Sequence, residues 1–340
     1  MAGHCPSVIV VSVLPRGEPY GGSSLVALDR ETLDPLEVRE FPADEYLEDP
    51  ELGAPGRIRH ARGLATVGDK LYVALFNVVR EYTVEDSRTL ALRPGRLFTH
   101  PRACDLHGIC VHEDTLVAAS TGTDSVISWD LASATATVTQ LGTPGEEDVR
   151  FPDRLAREAA KEDWREALDV RRHLNGVSIR GNGAPVVCSL GEVFEISGEG
   201  QQSLYRREAA RMHDGYLSDR EQLLLTDAAV GGLISHDLIA DEHRSFAVAK
   251  TDEWFVRGVG VVDDGTAYVL SSERMRSRQR SPVLDPDSPP EARGAQFMVS
   301  TVDFTCGGHR DDKVVRVPDA PRGSVVYGIV ELKSDSRSRD

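Results

Sequence analysis

The chain has 340 residues, 40% apolar and 28% charged, a globular composition long enough for two ordinary domains or one large ring of repeats. Its formal net charge of -16 argues against a nucleic-acid backbone or an anionic membrane surface as the main partner, and no run approaches the eighteen apolar residues of a membrane span. Five scattered cysteines without a CxxC pair fit free thiols in a reducing compartment, so a cytoplasmic protein is expected.

Along the chain, Ser7 to Leu14, Ser24 to Leu28 and Leu36 to Phe41 read as strands, with no basic segment ahead of them that would make a signal peptide. A Pro, Gly and acid-rich loop follows. Two four-strand groups then run from Arg62 to Phe98 and from His107 to Leu141, separated internally by GD, ED and TD turns. Residues 143 to 172 break the pattern: FPDRLAREAAKEDWREALDVRR has helical charge spacing and predicts a helical insertion, placed to act as a lid because it leads straight into His173. Two more four-strand groups run from His173 to Arg206 and from Gly215 to Ala249. A last group starts at Arg257, is interrupted over 273 to 295 by an Arg, Ser and Pro-rich segment that reads as a mobile loop, and resumes at Gln296. The strand-like GSVVYGIVEL, ending at Leu332, precedes a polar tail over 333 to 340 that reads as disordered.

One feature repeats. The openings HARGLA, DLHGIC, HLNGVSI, MHDGYL, VRGVGV and VYGIV each place a glycine before an apolar run. Their glycines, Gly63, Gly108, Gly176, Gly215, Gly258 and Gly328, are spaced by 45, 68, 39, 43 and 70 residues. Three steps match one four-stranded propeller blade, and the long ones match a blade plus an insertion. The N-terminal group lacks an opening strand and the C-terminal strand lacks a group. The predicted fold is therefore all-β: one six-bladed β-propeller over residues 1 to 340, closed by N- and C-terminal strands in a shared blade, with a five-bladed ring as the alternative.

Aligned on the glycines, His60 and His173 stand three positions ahead, His107 one and His213 two. Alternation along a strand gives His60, His107 and His173 a common face, and a bulge would be needed to bring in His213. Converging imidazoles suit a divalent transition metal, Fe(II) by preference and Zn as the alternative. Arg257, with the parity of His107, is expected to clamp an anionic substrate; Asn175 to hydrogen-bond it; Asp105 and Asp214 to orient an imidazole or act as a base. Arg57, Arg59 and Arg62 read as a solvated basic loop.

The segments DLHGICVHEDTLVAASTGTDSVISWDL, HLNGVSIRGNGAPVVCS and MHDGYLSDREQLLLTDAAVGGLI, spanning about residues 60 to 272, resemble blades of the bacterial gluconolactonase and streptogramin B lyase superfamily, especially its members with HLNG-type openings. The resemblance implies one metal on the propeller axis serving lactone hydrolysis or elimination. Gluconolactonase-like members hold Ca or Zn with Glu, Asn and Asp, and these openings carry histidines and no equivalent Glu. In ligand type they are similar to carotenoid cleavage oxygenases, whose four histidines hold Fe(II). The expectation is thus a metal-dependent oxygenase acting on a small-molecule substrate, with no nucleic acid or membrane partner and with oligomeric state left open. A metal-dependent hydrolase or lyase, and a non-catalytic binding propeller, are the alternatives.

Overall fold

The computed structural model describes residues 7–14, 23–41, 61–141, 172–198, 200–207, 210–263, 265–273, 294–305, 308–321 and 324–332. Twenty-four strands occur among them. They are β1 (Val8–Leu14), β2 (Ser23–Asp29), β3 (Pro35–Phe41), β4 (Ala61–Val67), β5 (Lys70–Leu75), β6 (Val78–Asp86), β7 (Ala91–Thr99), β8 (Leu106–His112), β9 (Thr115–Ser120), β10 (Ser125–Asp130), β11 (Ala136–Gln140) and β12 (Gly176–Ile179). The second half continues with β13 (Pro185–Cys188), β14 (Glu192–Ser197), β15 (Gly200–Arg206), β16 (Met212–Leu217), β17 (Gln222–Asp227), β18 (Gly232–Asp237), β19 (Glu242–Ala247), β20 (Trp254–Asp263), β21 (Thr266–Glu273), β22 (Gly294–Asp303), β23 (Gly308–Pro321) and β24 (Val325–Leu332).

These strands make six antiparallel four-stranded sheets, five of consecutive strands and one in the order β24-β1-β2-β3. The fold is the expected six-bladed propeller, with its first blade shared between the chain ends; five blades are ruled out. The pairing of Val8 with Leu332 and Leu14 with Val325 closes the ring. The helical insertion and possible lid expected at 143–172 fall, but for Arg172, outside the described residues, which hold no α-helix and only a 3-10 turn at Thr121–Thr123. The loop expected at 273–295 and the tail at 333–340 also lie, almost entirely, outside the described residues.

Six apolar clusters form the core, one between each pair of neighbouring blades. Between the second and third blades, for example, Phe98 packs between Tyr72 and Trp129, at ring centroid distances of 6.1 and 6.4 Å. The Trp129 indole N–H donates to the Thr99 carbonyl at 3.1 Å, so its single polar atom is satisfied in the core. Residues of this size contribute roughly 1.5–3 kcal/mol each when fully buried.

The outer hairpins share one device. Asp29, Asp86, Asp130, Asp237 and Asp303 end the third strands of five blades, and each carboxylate accepts backbone N–H groups of the turn that follows. These are Asx turns. The bond from Thr32 N–H holds Asp29 below the usual carboxylate range, and the corresponding turn amides do the same for Asp130 and Asp237.

Candidate active site on the propeller axis

The six repeat glycines lie on the six innermost strands, β4, β8, β12, β16, β20 and β24. A side chain at Gly63 would put its Cβ 2.2 Å from the His107 carbonyl oxygen; at Gly108, 2.7 Å from the Gly176 Cα; at Gly176, 2.9 Å from the Gly215 nitrogen. At Gly258 it would meet the Tyr327 carbonyl at 2.2 Å, and at Gly328 the Arg62 carbonyl at 2.4 Å. Each of these glycines therefore touches the backbone of the next blade around the ring, and the absence of Cβ is what lets the strands close up. Gly215 is the exception: its nearest neighbours would be the side chains of Leu225 and Cys188, at 2.9 and 3.1 Å.

Because the glycines set the register of the inner strands, the residues just before them form one polar layer. These are Arg62, His107, Asn175, Asp214, Arg257 and Tyr327. The Arg62 guanidinium donates to His107 Nε2 and pairs with Asp105 Oδ1 at 2.7 Å. His107 Nδ1 in turn faces Asn175 Oδ1 at 3.0 Å, and the Asn175 amide donates to the Met212 carbonyl at 2.8 Å. The amide's donation to a carbonyl turns its oxygen toward His107, so this network assigns the imidazole proton to Nδ1. Burial, reinforced by the Arg62 charge, depresses the His107 pKa to about 4, and the ring is neutral at physiological pH. Tyr327 takes the Arg62 and Arg257 guanidiniums against its ring at 5.2 and 4.8 Å, with the His107 ring edge-on at 5.9 Å.

Three of the four expected histidines come together; His60 lies outside the described residues. His173 meets His107 edge-to-face at 5.4 Å, from a backbone with φ of 53°. Asp105, in the same slot three residues before its glycine, has φ of 54°, so this left-handed kink recurs where the chain enters the inner strand. His213 sits at a register shift between Met212 and Asp214, the bulge its position required, and its ring packs on Phe255 at 4.9 Å. Burial lowers the His173 and His213 pKa values, and the Arg257 charge pushes both further down.

The described members of the expected ligand set, His107, His173 and His213, are not grouped so as to hold the expected Fe(II) or Zn ion, and the fourth, His60, lies outside the described residues. Among the described residues no three His, Cys, Asp or Glu side chains are grouped so as to hold a metal ion. The Arg62 guanidinium already covers the Nε2 lone pair of His107, and Asn175 faces its other nitrogen. The shared position of the histidines is visible in the sequence, but which partner each nitrogen faces is not.

The remaining expected residues take distinct places. Asp105 fixes Arg62. Asn175 is 3% exposed and holds His107, while also bordering the axial cavity. Arg257 stacks on Phe255 and Tyr327, at 4.7 and 4.8 Å, behind the cavity wall, and its buried Nε has no hydrogen-bond partner among the described residues. Asp214 wedges between blades: Oδ1 accepts the Gly215 N–H at 2.9 Å and Oδ2 the Val259 N–H at 3.1 Å. Burial nevertheless raises its pKa to about 7, outweighing both bonds.

A cavity of about 400 Å3 runs along the axis from this layer. Arg62, His107, Asn175, His213, Asp214 and Tyr327 line it where the inner strands begin, and Thr66, His112, Asp219 and Glu331 toward their far rim. Sequence reasoning misses Arg62 and Tyr327: it takes the first for a solvated loop residue and passes over the second. A signal is nevertheless present, because each immediately precedes a repeat glycine.

This arrangement defines a six-bladed propeller with a polar, solvent-reachable axial site. No protein-family model matches the sequence, and no curated protein matches it. Among solved structures, the chain is similar to a Bacteroides caccae protein of unknown function, at 11% identity and TM-score 0.60, covering 97% of this chain and 100% of that one. It is also similar to a chain of a nidogen/laminin complex, at 11% identity and TM-score 0.59 over 96% and 99% of the two chains. A Bacteroides fragilis protein named "putative 6-phosphogluconolactonase" gives 11% identity and TM-score 0.55 over 98% and 100%. These likenesses, all at low identity, establish the fold alone.

Proposed function

We propose that the protein is a small-molecule hydrolase or lyase whose substrate is an anion bound on the propeller axis. The observation that carries this reading is the Arg62 end of the axial cavity, where a guanidinium, a neutral imidazole and a carboxyl group that titrates near pH 7 share one wall. Asp105 offsets the charge of Arg62, and Asp214 holds its proton up to about 7. Among the described groups of the layer, Arg257 then leaves positive charge in excess, in a chain of net charge -16. Such a site favours a carboxylate, a phosphate or a developing oxyanion.

The chain's own residues supply the parts such a reaction needs. Arg62, held rigid by Asp105 and His107, faces the anion or the oxygen on which charge develops. His213 borders the cavity as a neutral imidazole able to accept a proton. Asp214, next to it, can return one. His107 is a positioning residue, since its two nitrogens are committed to Arg62 and Asn175. The name carried by the Bacteroides fragilis neighbour fits a phosphorylated lactone as a first substrate to try. Nothing in the geometry favours oxygenation.

The test is turnover of 6-phosphogluconolactone and a panel of carboxylated lactones and esters by the protein and by Arg62→Gln, His213→Gln and Asp214→Asn, with folding checked by circular dichroism. Loss of at least about 100-fold in kcat/KM for folded His213→Gln and Arg62→Gln is expected, on the scale of removing a general base or an oxyanion donor. Unchanged turnover in these variants would overturn the assignment. Neither turnover nor anion binding by the parent protein would leave a non-catalytic binding propeller.

A further inference from the structure

The shape of the axial cavity carries a conclusion about what the anion is attached to. From Arg62 to Thr66, both of which line the cavity, β4 advances four residues, roughly 13 Å at about 3.3 Å per residue. A phosphate or carboxylate group alone would fill only the inner end of such a channel. The volume of about 400 Å3 lies in the range of about 300–1,000 Å3 occupied by whole small-molecule ligands.

The walls between the two ends are uncharged and mostly apolar, with Leu64, Ile109, Val177, Val259 and Ile329 one position beyond their glycines. Two positions beyond each repeat glycine stand Ala65, Cys110, Ser178, Leu217, Gly260 and Val330, one from each blade, and all border the cavity. Gly260 cannot be larger, since a Cβ there would lie 2.7 Å from Ile329 Cγ2. Burial pushes the Cys110 thiol up to about 12, so this wall presents an inert thiol and no thiolate. At the rim, the Glu331 carboxylate is paired with Arg30 at 3.0 Å, and Thr66 Oγ1 donates to the Glu331 carbonyl at 3.4 Å. His112 and Asp219 are the other titratable groups of the rim among the described cavity residues.

Resting on the proposed anion site, we infer that the ligand is an elongated anion: a charged head at the Arg62 end and an uncharged, largely apolar body lying along the walls between Arg62 and Thr66. Thr66 and Cys110 are then specificity-determining positions that do not touch the head.

Binding of inorganic phosphate and of ethyl, butyl and octyl phosphate, with the alkanoates of the same lengths as a second arm, tests this by calorimetry. In the parent protein the affinity rises at least tenfold from inorganic phosphate to the best alkyl phosphate; the same rise in the alkanoates alone identifies the head as a carboxylate. In Thr66→Phe, and separately in Cys110→Phe in case one of them does not fold, that rise disappears while inorganic phosphate, or acetate in the second arm, binds within twofold of the parent. No gain with length, a gain that survives both substitutions, or parallel loss of head and long-probe binding would overturn the inference. Failure of every anion to bind the parent protein would instead overturn the anion site itself.

Discussion

Five of the six blade junctions on the axis close in one way and the sixth in another. At Gly63, Gly108, Gly176, Gly258 and Gly328 the backbone of one inner strand rests on that of the next. Between β16 and β20 the glycine faces its own blade and a side of its neighbour, and the Asp214 carboxylate bridges the gap to Val259. The five junctions are packing devices. The sixth puts a titratable group where packing alone would have put a glycine contact, and the bulge beside it turns His213 toward the cavity. Under the proposed function, this buried carboxyl is the group that would return the proton.

The largest effect expected from breaking this contrast comes from giving a side chain to one of the five. Gly63→Ala or Gly258→Ala puts a Cβ 2.2 Å from a backbone carbonyl that cannot move without opening the ring. A loss of about 3 kcal/mol is expected, at the upper end of overpacking costs, read from urea unfolding midpoints. A loss below about 1 kcal/mol would show that the ring is looser than these contacts imply.

The next effect is a pH dependence of opposite sign on the two sides of the layer. His107 titrates at about 4 when folded and near 6.5 when unfolded, so the unfolded chain binds the extra proton between these values. Stability conferred by the neutral His107 is therefore complete above pH 6.5 and declines as pH falls toward 4, by about 3 kcal/mol at the limit. His173 and His213 act in the same direction. In His107→Gln the slope of stability against pH over this window should be visibly shallower; an unchanged slope would contradict the buried neutral ring.

Asp214 works the other way. Its folded group keeps the proton up to about 7 while the unfolded one loses it near 3.8, so its contribution to stability falls as pH rises across that window and is flat above it. Because the residue borders the cavity, a swing of about 2 kcal/mol is a fair magnitude. Comparing the parent with Asp214→Asn at pH 5 and pH 8 isolates it: the variant should gain relative to the parent on going to pH 8. The smallest effect is at the odd glycine itself. Gly215→Ala meets side-chain atoms of Leu225 and Cys188 that can rotate away, and about 1 kcal/mol is expected in the same urea experiment.

Much of this architecture is legible in the amino-acid sequence. The glycine period locates all six inner strands, and the unmatched first and last segments give the shared blade that β24 and β1 form. Short continuous apolar runs between turn signals place the strands, because a blade buries both faces of its middle strands against its neighbours. The candidate site is less legible. Aligning the openings brings His107, His173 and His213 together correctly, including the bulge at His213, but it carries the assumption that clustered imidazoles point their lone pairs at a common centre. It also leaves Arg62 aside, since an arginine near other arginines looks like solvated loop.

The period of glycines and the alternation of the strands are local and repetitive properties, and such properties survive in a one-dimensional reading. The order of residues therefore suffices for the class of fold and the place of the inner strands, while the choice of six blades over five and the axial places of Arg62 and Tyr327 come from the closed ring. Whether His107 Nε2 meets a metal or the guanidinium of Arg62, and whether Asp214 is ionised, are settled only once the ring has closed. Those outcomes depend on angstrom-scale distances between residues some forty positions apart and on how much water the closed ring excludes.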